Sequence, residues 1–337
     1  MFARIHLQMP GLEKVQAALD HDDLRAAETA YFEFWKSRTD QKILWNPHFR
    51  MVRLEGRNGQ ASDYFLAPVP RTISWRDRER LQDRIYKGNA WEWFDKQTNW
   101  TLLEMADLML EDRMVPVRDG HSFLPPLDMG NPWNWDSESE LAPSANALMH
   151  RHYFVARLAQ AYWLTGDDNY VTKLVTLWTD WIRRASAGRK NQGLAPMYQA
   201  FIHPGALEMI LDSPTLEPEA FCLMVAYLSE SPIKWLTRGP RGANQTIGQV
   251  NAILSLVAAL PEFKGSDRWL KTAMGYLTGF YNGSTYPDGG FAEPSFLYSI
   301  STALALLNCA DNLLAAGLPV PQELSARATG VNFIVQS

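Results

Sequence analysis

The sequence predicts an all-α fold. Apolar residues recur at spacings of three and four in several long stretches, which is the pattern of amphipathic helices. Short segments containing glycine or proline separate these stretches, and almost none shows the alternating pattern of a β-strand. We therefore expect helical hairpins, joined by short turns, to pack into a helical array.

The length and composition indicate a globular protein with one large or two ordinary domains. The chain has 337 residues, of which 46% are hydrophobic, and its 13 tryptophans supply bulk for a core. The formal net charge is -5, so the molecule as a whole does not attract DNA or RNA. An anionic ligand would need a local cluster of cations.

The cysteines and the N-terminus give little information about the cellular compartment. Cys222 and Cys309 lie in apolar helical patterns, where buried free thiols are usual and a disulfide is possible. No run approaches the ~20 apolar residues of a membrane span, and no secretory apolar stretch begins the chain. The sequence alone predicts either a cytoplasmic protein or one whose signal has been removed.

Residues 1–75 are predicted to form an N-terminal helical segment followed by an irregular connection. Two helices within 11–38 are separated by turn residues at 20–23. From 39 to 75 the periodicity is lost and turn residues become frequent. The second domain, 76–337, begins with helices predicted at 77–86 and 101–112.

An aromatic, proline-rich loop is predicted between residues 114 and 141. It contains Trp133 and Trp135, only two positions apart. Aromatic rings stack on the apolar faces of sugars, but their bulk also fills gaps beneath long loops. The residues alone leave both interpretations open.

A helical hairpin is predicted over residues 147–182. The Thr-Gly-Asp-Asp turn at 165–168 provides a glycine to end one helix and acidic residues to begin the next. His150, Arg151 and His152 lie together directly after the tryptophan loop. This cluster is a candidate anion site, although a single histidine is more often structural. Further helices are predicted at 200–211, 217–230 and 295–316.

The stretch 238–298 has polar residues at both ends of an apolar middle. Helical spacing predicts one helix that stops near Pro261 and a second that ends at the turn at 282–283. If these helices pack antiparallel, Asn244 at the start of the first and Tyr298 beyond the end of the second return to the same rim. An ordinary hairpin with polar ends fits the same pattern.

Several motifs follow one another in this stretch. Asn244 is followed by LPEFK at 260–264, by Trp269, and by D-G-x-x-x-E-x-S-x-x-Y, which ends at Tyr298, 54 residues after Asn244. The segment 147–182 adds R-H, A-Y-x-x-T-G-D and W-x-x-W. This combination resembles the helical domain of the heparinase II/III-like polysaccharide lyases and their alginate-lyase relatives.

The resemblance implies an (α/α) toroid over 76–337, in the form of an incomplete barrel of helical hairpins with a groove across one end. Family members usually carry a C-terminal β-sandwich, which in several of them contributes a histidine to the active site. The sequence ends at Ser337 without a run of strands, so we expect the toroid without the sandwich and assign no residue to that histidine. The resemblance also implies a periplasmic or secreted location.

The activity implied by the resemblance is β-elimination on a uronic-acid polysaccharide. The sugar's C6 carboxylate must be neutralised so that the enediolate formed on loss of the C5 proton is stabilised. Asn244 matches the family's asparagine and could donate to that carboxylate, as could its neighbour Gln245. Tyr298 matches the catalytic tyrosine and would either remove the C5 proton or protonate the departing C4 oxygen. As a base it would need nearby positive charge, because the reference pKa of tyrosine is about 10.

Arginines near these residues are candidates for binding the acidic polymer. The guanidinium groups of Arg151, Arg238 and Arg241 match the geometry of carboxylates and sulfates, although each could equally be a solvated surface residue. The remaining substrate-binding candidates are Trp133, Trp135, His150, His152, Tyr286 and Glu293.

Two other functions stay open. A glycoside hydrolase on the same architecture would use two carboxylates, such as Asp288 and Glu293 or acids within 136–140, separated by about 5 to 10 Å. A non-catalytic glycan-binding domain would need no such pair. We predict no cofactor and no metal, because two histidines two positions apart on a helix face different sides. The expected partner is an acidic polysaccharide, with no nucleic acid.

Overall fold

Helices dominate the computed structural model of the chain, which confirms the all-α prediction. The structure describes residues 1–38, 51–52, 65–66, 102–114, 117–118, 122–123, 126–136, 149–186, 193–286, 291–292 and 296–324. The helices in these ranges are α1 (Glu13–Asp20), α2 (Leu24–Ser37), α3 (Leu102–Leu110), α4 (Tyr153–Thr165), α5 (Asp168–Arg184), α6 (Ala195–Ile210), α7 (Pro218–Leu228), α8 (Ser231–Leu236), α9 (Ala243–Ala259), α10 (Ser266–Ser284) and α11 (Phe296–Ala315).

The strands in the described ranges are short and form antiparallel pairs. They are β1 (Met51–Val52) with β2 (Phe65–Leu66), β3 (Arg113–Met114) with β6 (Leu127–Asp128), and β4 (Val117–Arg118) with β5 (Ser122–Phe123). The β3–β6 pair brings residues 127–128, which precede the two tryptophans of the loop, beside the end of α3. No helix in these ranges is long and apolar enough to cross a membrane.

The helices from α4 onward form a row with further helices packed outside it. Along the row, α4 packs against α6, α6 against α9, and α9 against α11. Outside it, α5 packs on α4 and α10 packs on α9. Within the described residues the row does not close into a barrel. This agrees with the incomplete array of hairpins predicted from the sequence.

Burial explains the sequence pattern of these helices. Nearly every side chain of α6 is buried, and apolar residues lie all around the helix between a few buried polar ones, as expected for a helix inside the array. In contrast, α5 has an apolar stripe that includes Leu174, Trp178 and Trp181, and its opposite face is polar. The predicted turn between α4 and α5 is confirmed, since Gly166 caps α4 and the Asp167 carboxylate accepts the Asn169 N–H at 2.9 Å.

The N-terminal helices pack onto this array. α2 packs against α7, and Ile5 forms a β-bridge with Phe263. The Lys264 N–H also donates to the Arg4 carbonyl at 2.8 Å. The LPEFK motif forms most of the loop between α9 and α10, and these contacts attach the N-terminus to that loop.

Some sequence predictions concern residues outside the described ranges. These are the domain boundary at 75/76, the helix at 77–86 and most of the irregular segment 39–75, all of which stay predictions. The expected buried free thiols at Cys222 and Cys309 are confirmed. The short helix α8 was not predicted, and its Pro232 in the first turn is a common helix-initiating residue.

Candidate active site

A basic turn, residues 237–242, connects α8 to α9 and carries two of the predicted binding residues. Arg238 and Arg241 are both exposed. The Arg241 guanidinium carbon lies 3.9 Å from the centre of the Trp235 ring in α8, which is a cation–π contact. Gly242 has φ of +114°, a conformation that other residues rarely adopt, so glycine is needed where the turn enters α9.

Asn244 and Gln245 follow this turn in the first turn of α9. Asn244 is half-buried and Gln245 is exposed. The N–H groups of a first helical turn have no partner within the helix, and their partial positive charge favours an anion. An amide beside this helix end and the basic turn is therefore suited to hold a carboxylate.

Tyr298 lies in the first turn of α11, which confirms the helix predicted at 295–316. At the end of α10, Thr285 forms a β-bridge with Phe291, and the Ala292 N–H donates to the Ser284 carbonyl at 2.9 Å. The chain therefore turns back at the carboxyl end of α10. Because α9 and α10 are consecutive packed helices with a short connection, this end lies beside the amino end of α9.

The packing of α11 along α9 relates the two predicted catalytic positions. The Asn312 amide of α11 donates to the Asn251 side-chain oxygen of α9 at 2.6 Å. Counted from this contact at ~1.5 Å per residue, Tyr298 lies about 10 Å further along the axis than Asn244. The backbones of Asn244 and Tyr298 therefore lie toward the amino ends of two packed helices, offset by about 10 Å along the helix axis.

Arg151 contacts two tyrosines, Tyr153 and Tyr198, which were not predicted as site residues. Its guanidinium carbon lies 4.7 Å from the centre of the Tyr198 ring, and the group hydrogen-bonds the Tyr153 hydroxyl. The Tyr153 and Tyr198 rings are 5.6 Å apart. Desolvation raises the pKa of Tyr153 despite the nearby arginine, so this phenol stays protonated and keeps a donor hydrogen.

The Arg151 group lies at the same end of the array as Asn244. Tyr198 is the fourth residue of α6, and its neighbour Met197 packs on Gly248 of α9. A Cβ atom at Gly248 would be 2.9 Å from the Met197 sulfur, so glycine permits this close approach. Gly248 is one helical turn beyond Asn244. The amino ends of α4, α6 and α9 therefore carry Arg151, Tyr198 and Asn244 in neighbouring positions.

His150 and His152 are buried side chains beneath Arg151. The Trp181 indole N–H donates to His150 Nδ1 at 3.1 Å, and the His152 ring packs edge-on against Trp181. The expectation that the two histidines lie on a helix is wrong, because residues 150–152 form a turn in which His152 has φ of +63°. That conformation lets both rings contact one tryptophan. Their burial favours a structural role, holding the turn that presents Arg151.

His152 also pairs with a histidine of α6. Its Nδ1 atom is 2.9 Å from His203 Nε2, and both rings are fully buried. Burial holds the pKa of both imidazoles well below the ordinary range, and for His152 the neighbouring His203 and His150 lower it further. The pair is therefore neutral, with one ring as donor and the other as acceptor.

Trp133 and Trp135 are buried, with exposed fractions of 1% and 2%. Their indole N–H groups donate to Asp112 at 2.8 Å and to Asp180 at 2.7 Å, respectively. Both rings also pack against Phe154. This burial favours the interpretation in which they fill space beneath the loop over the one in which they stack on sugars.

The remaining predicted site residues lie after α10. Tyr286 is 57% exposed and follows the carboxyl end of that helix. Asp288 and Glu293 lie outside the described residues, so their predicted roles are unchanged. The described part of the chain contains no group of three or more His, Cys, Asp or Glu side chains that could hold a metal ion.

This arrangement is a helical array with arginines, phenols and an amide gathered at one end. A sequence model described as Heparinase II/III N-terminus matches residues 1–318. The chain therefore belongs to the heparinase II/III family, which confirms the resemblance seen in its motifs.

Similar proteins include two curated heparin-sulfate lyases. That of Bacteroides thetaiotaomicron is 24% identical over 312 residues, covering 89% of this chain and 38% of the relative. That of Pedobacter heparinus is 23% identical over 313 residues, covering 89% of this chain and 40% of the relative. The chain thus spans about 40% of the length of these relatives.

Solved structures show the same fold. The heparan sulfate lyase of Pedobacter heparinus has a TM-score of 0.72 at 20% identity, covering 100% of this chain and 47% of that one. A heparinase III structure has a TM-score of 0.70 at 20% identity, covering 99% and 46%. The array described above therefore corresponds to the helical domain of these lyases.

Proposed function

We propose that this chain binds a uronic-acid polysaccharide of the heparan sulfate class and contributes to its cleavage by β-elimination. The observation that carries the proposal is the position of Asn244, in the first turn of α9 directly after a turn that carries two exposed arginines. The names of the relatives support heparan sulfate as the first polymer to test.

Asn244 is assigned to the carboxylate of the sugar. Its amide hydrogens would donate to a C6 carboxylate oxygen and withdraw charge from it, which makes the C5 proton more acidic and stabilises the enediolate. Gln245 is more exposed than Asn244 and is assigned to the same carboxylate as a second amide donor. The positive end of α9 adds to this stabilisation.

Tyr298 is assigned to proton transfer. In the elimination, a base removes the C5 proton, the released electron pair forms a C4–C5 double bond, and the C4–O bond breaks. The departing oxygen then receives a proton. The support for this assignment is that Tyr298 matches the family's tyrosine and that its backbone lies in the first turn of α11, a helix packed along α9; the phenol would serve as the acid or the base of this reaction.

The arginines are assigned to binding the polymer. This assignment is supported by the exposure of Arg238 and Arg241 in the turn before Asn244, and by the contact of Arg151 with Tyr198 near the amino end of α6. Guanidinium groups bind carboxylates and sulfates through paired hydrogen bonds. The net charge of -5 makes this local concentration of cations the feature that would attract a polyanion.

The products formed from heparan sulfate distinguish elimination from the other functions. Elimination leaves an ultraviolet-absorbing unsaturated uronate and consumes no water. Hydrolysis consumes water and leaves no such double bond, and a binding domain leaves the polymer intact. We expect the unsaturated product; cleavage that incorporates oxygen from labelled water, without a rise in absorbance, would refute the proposal.

A further inference from the structure

The basic turn is held in place by a buried amide on the next helix. The Gln249 side chain of α9 is 1% exposed, and its Nε2 atom donates to two carbonyls, those of Leu236 and Gly239, the second at 2.8 Å. We propose that Gln249 is a positioning residue that sets the affinity for acidic sugars by fixing Arg238 and Arg241. This inference rests on the proposed function.

The two carbonyls bound by Gln249 lie on either side of Arg238. Leu236 is the last residue of α8, whose terminal carbonyl has no partner within the helix. Gly239 follows Arg238 directly. By binding both, Gln249 fixes the backbone on each side of Arg238 and thereby limits the directions in which its side chain can extend.

A second contact fixes the other end of the turn. The Gly242 N–H donates to the Thr246 hydroxyl at 2.8 Å, and Gly242 adjoins Arg241. Thr246 and Gln249 are both buried in α9, so the basic turn and Asn244 are held by the same helix. The arginines therefore keep a constant position relative to the amide assigned to the sugar carboxylate.

The remaining oxygen of Gln249 argues for positioning over simple packing. Gln249 Oε1 is buried and accepts no hydrogen bond in the described structure. A buried acceptor without a donor lowers stability, and an apolar side chain of similar length would avoid that cost. Glutamine retains it because both of its N–H groups are directed to the turn. Pre-ordering of the arginines lowers the entropy cost of binding a polymer.

The test compares Gln249→Met with Asn312→Leu. Gln249→Met keeps the length of the side chain but removes both donors to the turn. Asn312→Leu removes a buried amide hydrogen bond to the same helix, at Asn251, without contacting the turn. The turn is monitored by limited trypsin digestion, with mass spectrometry of cleavage after Arg238 and Arg241. Affinity is measured with a size-defined heparan sulfate oligosaccharide.

We expect Gln249→Met to increase cleavage in the turn and to weaken oligosaccharide binding about tenfold. Its KM should rise while kcat changes little. Asn312→Leu should change neither cleavage nor affinity, even if its melting temperature is lower. Should Gln249→Met fail to fold, Thr246→Val removes the second contact and should show the same two effects to a smaller extent.

Each result bears on a different claim. Normal affinity in a folded Gln249→Met protein, whether or not cleavage increases, would overturn the inference while leaving the proposed function intact. Equal losses of affinity in Gln249→Met and Asn312→Leu would also overturn it, because the effect would follow from stability alone. A wild-type chain that binds no acidic oligosaccharide would refute the proposed function and the inference together.

Discussion

Arg38 and Glu262 form a buried ion pair, with 2.5 Å between the guanidinium nitrogen and the carboxylate oxygen and side-chain exposures of 7% and 0%. The Tyr31 hydroxyl donates to the same carboxylate at 2.5 Å, and the Trp35 indole N–H donates to it at 3.2 Å. Arg38 also donates to the Ala259 carbonyl at 3.0 Å. These contacts join α2 to the carboxyl end of α9, and they give Glu262 of the LPEFK motif a structural role.

Glu262→Gln should lower the free energy of unfolding by about 3 to 5 kcal/mol, because it leaves the Arg38 charge buried without its counter-ion. Urea or guanidinium denaturation measures this loss. The matched control is Glu33→Gln, which removes an exposed carboxylate 3.3 Å from Lys36 and should cost less than about 1 kcal/mol. Similar losses in the two variants would contradict the structural role of Glu262.

The long helices could be predicted from the sequence because their apolar residues keep a strict helical period. The turn between α4 and α5 was recognised from Gly166 and Asp167, whose residue types favour helix ends. The short helix α8 was missed, since six residues are too few to show a period. Tertiary contacts were also hidden, as the partner of Glu262 lies more than two hundred positions away in the chain.

Asn244→Ala should lower kcat/KM for heparan sulfate elimination by about 10²- to 10³-fold, the usual effect of losing one donor to a developing oxyanion. The formation of unsaturated uronate measures this change. Asn169→Ala removes an exposed amide on the outer helix α5 and should leave the rate unchanged. An Asn244→Ala enzyme with the wild-type rate would show that the amide does not act on the carboxylate.

Stability should fall as the pH decreases below about 6.5, because of the neutral pair His152 and His203. Unfolded histidine binds a proton near pH 6.5, whereas burial lowers the pKa of both residues in the folded chain. Protonation therefore favours the unfolded state, by up to about 1.4 kcal/mol per pH unit for each histidine. Above pH 6.5 this contribution is constant. Denaturation curves between pH 5 and 7.5 measure the slope.

His203→Gln should reduce the slope of stability against pH by up to about 1.4 kcal/mol per pH unit, the contribution of one proton. The substitution removes one of the two titrating rings and keeps a polar partner for His152. His21 is exposed, so His21→Gln serves as the control and should leave the slope as it is in the wild type. A wild-type chain whose stability is constant or rises below pH 6.5 would contradict the buried neutral pair.

Arg241→Gln should weaken the binding of a heparan sulfate oligosaccharide about three- to tenfold at low ionic strength, and less at high salt, because it removes a charge beside Asn244. Arg241 is exposed, so the change in stability should be small. Titration calorimetry at two salt concentrations measures the effect. Arg183→Gln, on the exposed face of α5, is the control; an equal loss there would indicate unspecific charge attraction.

The site could be predicted only where it depends on motifs. Asn244 and Tyr298 were identified because they match fixed positions of a family, and their catalytic roles stay predictions. Tyr198 was missed because α6 is buried on all sides, so that no exposed polar face distinguishes the residues near its amino end. Trp133 and Trp135 were ambiguous because their burial depends on distant partners, the carboxylates of Asp112 and Asp180.

The most direct test of the proposed lyase chemistry is Tyr298→Phe, assayed for unsaturated uronate and for oligosaccharide binding in the same preparation. We expect that removing the phenol hydroxyl abolishes elimination, because no proton can then be transferred at this position, while the dissociation constant stays within about threefold of the wild type. Elimination at the wild-type rate in the Tyr298→Phe chain would show that this phenol does not transfer the proton.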